Sequence, residues 1–118
     1  MITGIHAMLY SKDADATRAF LRDALQLASV DAGGGWLIFA LPPAELGVHP
    51  AEQSAPPELY LMCDNVDDTV ATLTAAGARV ADPIVDQGWG RVATIAIPGD
   101  VRLGIYEPRH PTAIEMSR

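Results

Sequence analysis

The chain has 118 residues, 49% of them apolar and 19% charged, with a net charge of −7, which suits one compact domain with its own core and is short for two. One lysine and seven scattered arginines leave no basic stripe to neutralise phosphates, which argues against nucleic acid as a partner. No run of about 18 apolar residues occurs, so the composition speaks against a membrane-spanning helix and, being nearly half apolar, against disorder.

Met1 to His6 has neither the basic start nor the apolar middle and small-residue cleavage site of a secretory signal, so a cytoplasmic location is expected. Ile5 to Tyr10 alternates as a strand, with Ile5, Ala7 and Leu9 on one side and His6, Met8 and Tyr10 on the other. Asp13 then stands as the N-cap of an amphipathic helix over residues 14–25. Gln26 to Val30 and Trp36 to Ala40 read as two strands of a hairpin joined at Gly33-Gly34-Gly35. No helix follows those glycines, so a phosphate loop is the weaker reading. Leu46 to His49, between Pro42-Pro43 and Pro50, is the fourth strand expected in this half.

Residues 50–57, proline-rich and without periodicity, form the expected linker. Beyond it the same order returns. Glu58 to Cys63 is a strand with Glu58, Tyr60 and Met62 on one parity, and Asp64-Asn65 leads into a helix from about Val66 to Ala76 closed by Gly77. Val66, Val70 and Leu73 share its buried stripe. A strand beginning at Arg79 is interrupted at Asp82-Pro83 and resumes at Ile84; Arg91 to Ile97 and Val101 to Tyr106 complete the set. The lone Cys63 has no partner for a disulfide or a CxxC metal site and is expected to be a buried structural thiol.

The two halves also end alike. Glu45-Leu46-Gly47-Val48-His49-Pro50 returns as Arg102-Leu103-Gly104-Ile105-Tyr106-Glu107-Pro108. In each run the large apolar residues share one face of a pleated strand. The other face carries Gly47 with His49, and Gly104 with Tyr106. The fold class expected is α+β, two βαβββ modules over about 2–50 and 58–108 with mixed sheets, and a tail over 109–118.

Two such units, with Gly4-Ile5-His6 and the Lys12-Asp13 turn at the start, Asp64-Asn65-Val66 and Pro98-Gly99-Asp100 within, and Tyr106-Glu107-Pro108 at the close, resemble the vicinal oxygen chelate superfamily. That group includes glyoxalase I, extradiol dioxygenases, fosfomycin resistance enzymes and the metal-free bleomycin resistance proteins. The resemblance, which covers Ile2 to Pro108, implies two sheets curled around a cleft, a small-molecule ligand, a homodimer, and a divalent metal held by the first and last strands of each unit. Carried over position by position, the four ligand sites fall on His6, Gly47, Glu58 and Gly104. Two of these are glycines and cannot ligate through a side chain.

His49 lies one pleat repeat beyond Gly47, about 7 Å along the strand. His6, His49 and Glu58 would then make two imidazoles and a carboxylate, a set suited to zinc, iron, manganese or nickel. An alternative is a metal-free polar pair of His6 with Glu58, and Glu58 alone in an apolar site would suit a general base. Tyr10, Tyr60, Met62 and Tyr106 share the inward parity and either fill the interior or line a pocket. Trp89, between glycines, is the lid candidate; Trp36 is expected to pack, and His110 to be a solvated tail residue. The first expectation is a glyoxalase- or dioxygenase-like enzyme using a divalent metal. The alternative is a metal-free small-molecule binding or resistance protein of the bleomycin-resistance type.

Overall fold

The computed structural model of the chain describes residue 1 and residues 6–114. In order, the elements are α1 (Ala14–Asp23), β1 (Ser29–Asp31), β2 (Leu37–Phe39), β3 (Tyr60–Met62), α2 (Val66–Ala75), β4 (Arg79–Asp86), β5 (Gly90–Ile97) and β6 (Val101–Pro108). β1 and β2 form an antiparallel two-stranded sheet. The other four strands form a sheet in the order β3-β6-β5-β4, with β3 parallel to β6 and the remaining pairs antiparallel.

The second half is a complete βαβββ unit. Asn65 caps α2 by accepting the Asp68 N–H at 3.0 Å, and the Glu107 carboxylate on β6 accepts the Val66 N–H at 2.9 Å. Two donors left without partners in the helix's first turn are thus satisfied, one of them from a strand 41 residues away. Gly77, at φ 119, supplies the left-handed residue that ends the helix. Val66, Val70 and Leu73 of α2 are buried with Ala93, Ile95 and Ile97 of β5 and Val101, Leu103 and Ile105 of β6. Cys63 packs against that cluster, and burial pushes its thiol up, in keeping with a structural role.

β4 runs without interruption from Arg79 to Asp86, where the sequence suggested a break at Asp82-Pro83. Its register with β5 shifts between Val80 and Asp82 and again between Asp82 and Val85. Pro83 sits in the second irregularity, on the edge strand of the sheet, where a missing N–H costs no central ladder bond.

The first half differs more. α1 forms as expected, with Asp13 accepting the Ala16 N–H at 3.1 Å, and the hairpin turns through Gly33, Gly34 and Gly35, all at positive φ. The strand expected over 46–49 does not form: Leu46 and Val48 are 84% and 92% exposed. Nor do residues 6–10 make a ladder; Gly4 and Ile5 lie outside the described residues. Alternation supplies a strand's two faces but not its hydrogen bonds, which need a neighbouring strand, and neither segment meets one.

α1 is fastened to the second half by a small polar knot. The Thr17 hydroxyl, in a residue 4% exposed, donates to the Pro98 carbonyl at 2.6 Å, and Ser11 Oγ lies 2.7 Å from Thr17 Oγ1. Gly99, at φ 93, completes it: a Cβ there would overlap both hydroxyl oxygens. Lys12 pairs with Asp100 at 3.6 Å beside it. Thr17→Val keeps the shape and strands the Pro98 carbonyl, so the expected loss is about 1–3 kcal/mol, read as a lower urea midpoint at unchanged slope. An unchanged midpoint would show that the knot contributes nothing to stability.

Candidate functional site

Directly opposed residues in a ladder share a face. β3 and β6 oppose Tyr60 to Gly104 and Met62 to Tyr106, while β5 and β6 oppose Thr94 to Gly104 and Val92 to Tyr106. Tyr60, Met62 and Tyr106 therefore lie on the sheet face turned away from α2, because Leu103 and Ile105 take the other. Gly104 leaves room that the Tyr60 ring fills; a Cβ on Gly104 would overlap Cδ1 of that ring. The position at which the resemblance calls for a metal ligand is occupied by an aromatic ring.

Tyr106 is the hub. Its ring meets Tyr60 edge-to-face with centroids 6.0 Å apart and Trp89 edge-to-face at 5.4 Å, geometries favoured by the ring quadrupoles. Trp89 is held in the β4–β5 turn, where Asp86 accepts the Gly88 N–H at 2.9 Å and Gly88 takes φ 83. Gly90 must lack a side chain, since a Cβ would meet both the Tyr106 ring and the Glu107 carbonyl. Trp89 remains 48% exposed, with area still to bury.

His110 joins the cluster instead of standing in solvent as the sequence suggested. The Arg109 N–H donates to the Trp89 carbonyl at 2.9 Å, and the Arg109 guanidinium pairs with Asp86 at 2.8 Å. These two contacts turn the chain back after β6, so the next residue stacks on Tyr106 with centroids 5.8 Å apart. His110 Nε2 is hydrogen-bonded to the Tyr106 hydroxyl, and Nδ1 lies 2.7 Å from the Pro111 carbonyl. A carbonyl only accepts, so Nδ1 carries a proton; in the neutral ring Nε2 is then the acceptor and Tyr106 the donor.

Two carboxylates border the rings. Burial, then the charge and hydrogen bond of Glu58, push the Tyr60 phenol up. Burial, then the charge of Glu45, do the same to Tyr106. Glu45 is half-buried, and its Oε1 is enclosed without a hydrogen-bond partner among the described residues. The sequence offered no signal for His110, since its place follows from Arg109 meeting Trp89 and Asp86, both distant along the chain.

The remaining candidates form no metal-holding group among the described residues. His6 and Glu58 are exposed; His49 is exposed as well, its Nδ1 2.6 Å from the Pro50 carbonyl. Tyr10 is 88% exposed and makes no ring contact among the described residues. No three His, Cys, Asp or Glu side chains among the described residues are placed to hold a metal ion. The donors His6, His49 and Glu58 therefore do not fit such an ion in this arrangement, and no chemistry is derived through one. Two shallow hollows of about 280 and 330 Å³ lie on the β1–β2 hairpin and between α1 and the end of α2. Neither is lined by the aromatic cluster.

The family model described as Glyoxalase/Bleomycin resistance protein/Dioxygenase superfamily matches residues 5–110. No curated protein matches the chain. Among solved structures the chain is similar to TnmS3, an antibiotic binding protein from Streptomyces sp. CB03234, with a TM-score of 0.66 and 23% identity over 91% of this chain and 97% of that one. It is similar to a superfamily member from Sphaerobacter thermophilus DSM 20745, with a TM-score of 0.64 and 20% identity over 90% and 98% of the two chains. A lactoylglutathione lyase from Agrobacterium tumefaciens gives 0.62 and 19%, over 89% and 92%. At these identities the likeness is one of fold.

The fit of Tyr60 over Gly104 is testable by a double-mutant cycle. Gly104→Ala is expected to destabilise by about 1–3 kcal/mol through overpacking. In a Tyr60→Ala background the same change should cost less, leaving a coupling energy in thermal or urea denaturation. Equal costs in both backgrounds would mean that the ring does not lean on the glycine.

Proposed function

The chain belongs to the Glyoxalase/Bleomycin resistance protein/Dioxygenase superfamily, and from that premise we propose that it binds a small aromatic molecule without a metal ion. The observation that carries this reading is the Tyr60 ring filling the space over Gly104. Of the four positions at which the resemblance places metal ligands, Gly47 and Gly104 have no donor, and the second is built over by a ring. The face keeps aromatic surface in place of a coordination site.

Trp89 and Tyr106 supply the recognition. A planar ligand lying against the exposed side of Trp89 buries indole area and gains ring–ring attraction worth about 0.5–1.5 kcal/mol beyond that burial. The Tyr106 hydroxyl, already held by His110, keeps lone pairs free to accept from a ligand donor. Antibiotic binding, the role given to TnmS3, is a use of this fold that the reading extends to a chain with its own aromatic face. The competing reading is a metal-dependent enzyme, for which His6, His49 and Glu58 would have to converge.

The two are separated by titrating chelator-treated protein calorimetrically with soluble bicyclic aromatics, quinoline and 1-naphthoate among them. Binding is expected to survive removal of metal and to weaken by about tenfold in Trp89→Ala, equivalent to ~1.4 kcal/mol. Protein that retains stoichiometric zinc, iron, manganese or nickel and loses it in His6→Ala, or binding that returns only with such an ion, would overturn the proposal.

A further inference from the structure

We propose that residues 46–49 are a strap that closes on the free edge of β2, turning the β1–β2 hairpin into a three-stranded sheet and giving its hollow a second wall of Gly47 and His49. The strap lies in the first half of the chain and does not depend on the aromatic face of the second.

The backbone of β2 fixes how a third strand can seat. Among the described residues β2 pairs with β1 alone, so its other edge is open. The Trp36 carbonyl accepts the Ala32 N–H at 2.9 Å, and the Ala40 N–H donates to the Ala28 carbonyl at 2.8 Å. Hydrogen-bonding groups alternate sides along a strand, so Trp36, Ile38 and Ala40 turn theirs to β1, and the open edge presents those of Leu37, Phe39 and Leu41.

The strap carries the complementary phase. Leu46-Gly47-Val48-His49 repeats Leu103-Gly104-Ile105-Tyr106 of β6, where the Gly104 N–H donates to the Leu59 carbonyl and the Tyr106 carbonyl accepts the Cys63 N–H. Those two residues turn to β3, so Leu103 and Ile105 turn to β5. β2 precedes 46–49 as β5 precedes β6, so Leu46 and Val48 turn to β2. The bonded pairs are then Leu41 with Leu46 and Phe39 with Val48; Ala40 opposes Gly47, and Ile38 opposes His49. A slip of one residue would set Leu46 against Ala40, whose groups are already committed to β1.

Side-chain parity gives the same register. Opposed residues share a face, so Phe39, Leu41, Leu46 and Val48 gather on one side, as Leu103 and Ile105 do in β6. Leu41, Leu46 and Val48 are otherwise 48%, 84% and 92% exposed. Pro42-Pro43-Ala44-Glu45 becomes a four-residue hairpin loop, a common length, which keeps both proline nitrogens out of the ladder. A two-stranded hairpin is marginal alone in water, and a third strand supports it. On the opposite face Gly47 and His49 join Ala28, Val30, Ile38 and Ala40, which line the hollow of about 280 Å³.

The test is disulfide trapping in the full chain. Ala40→Cys with Gly47→Cys sets two thiols on a non-hydrogen-bonded pair, whose Cα atoms lie about 4.5 Å apart and within disulfide reach. Ala40→Cys with Val48→Cys closes a loop only one residue longer, with the thiols on opposite faces. At equilibrium with glutathione the 40–47 bond is expected to form within one chain and to be favoured about tenfold or more over the 40–48 bond. Should either variant not fold, magnetic resonance on the native chain decides. The closed register brings the Ala40 and Gly47 Hα atoms into contact and slows exchange of the Val48 amide about tenfold below the unfolded-peptide rate, and Val48→Pro removes the contact. Equal bonds at the two pairs, or a native chain without that contact and with Val48 exchanging at the peptide rate, would overturn the strap. A 40–47 bond made between two chains would overturn it as well, since a second copy would then hold the edge of β2.

Discussion

The organisation of the second half depends on one ladder. β5 and β6 stay in register from Gly90 opposite Pro108 to Ile97 opposite Val101 without a bulge. Because side chains alternate strictly along a strand, a single register decides both faces of the sheet together. Ile95, Ile97, Leu103 and Ile105 go under α2, and that obliges Gly104, Tyr106 and Val92 to the opposite side. The apolar burial that drives folding thus also delivers the aromatic face. A slip of one residue would expose the core and bury Tyr106 in the same movement.

Against that rigid half, the other is sparsely paired. The β1–β2 hairpin spans three residue pairs, and α1 is tied across by hydroxyls, by Lys12 with Asp100, and by Phe20 reaching the core. Arg18 lies 5.3 Å from the centre of the Trp36 ring, joining helix to hairpin; Trp36, expected to pack, is 53% exposed, with that guanidinium over its ring. The Pro42-Pro43 and Pro50 flanks are consistent with a segment that has no ladder partners in this arrangement, since proline donates no backbone hydrogen bond.

How far the residues alone disclose this follows from what each feature depends on. The helices were legible because capping and stripe are local: Asp13 and Asn65 each act within three residues. The shared parity of Tyr60, Met62 and Tyr106 was legible because the strand period is two. The strand character expected over 6–10 and 46–49 was over-read, because alternation states a preference that only a neighbour can realise. His110 was misread because its position comes from Arg109 meeting Trp89 and Asp86, a contact that no periodicity announces. Glu107 looked like a family signature at a strand end, and its work as a remote cap for α2 needs the folded sheet to be seen. The belonging of the chain to its superfamily was legible in the repeated order of elements, while the places of His6 and His49 were not, since spacing along a strand says nothing of where an unpaired segment goes.

The turn at Gly99 has a further bearing on how such a sequence can drift. Three positions remote in the chain, 11, 17 and 99, occupy one volume with no spare room: two hydroxyls and a missing methyl. A change at any one of them alters what the other two can be, so in a lineage they would be inherited as a block, although nothing in their linear order groups them. Descendants that lose the glycine would have to surrender both hydroxyls and reshape a turn whose φ of 93 strains any other residue, which gives the history of this joint a direction.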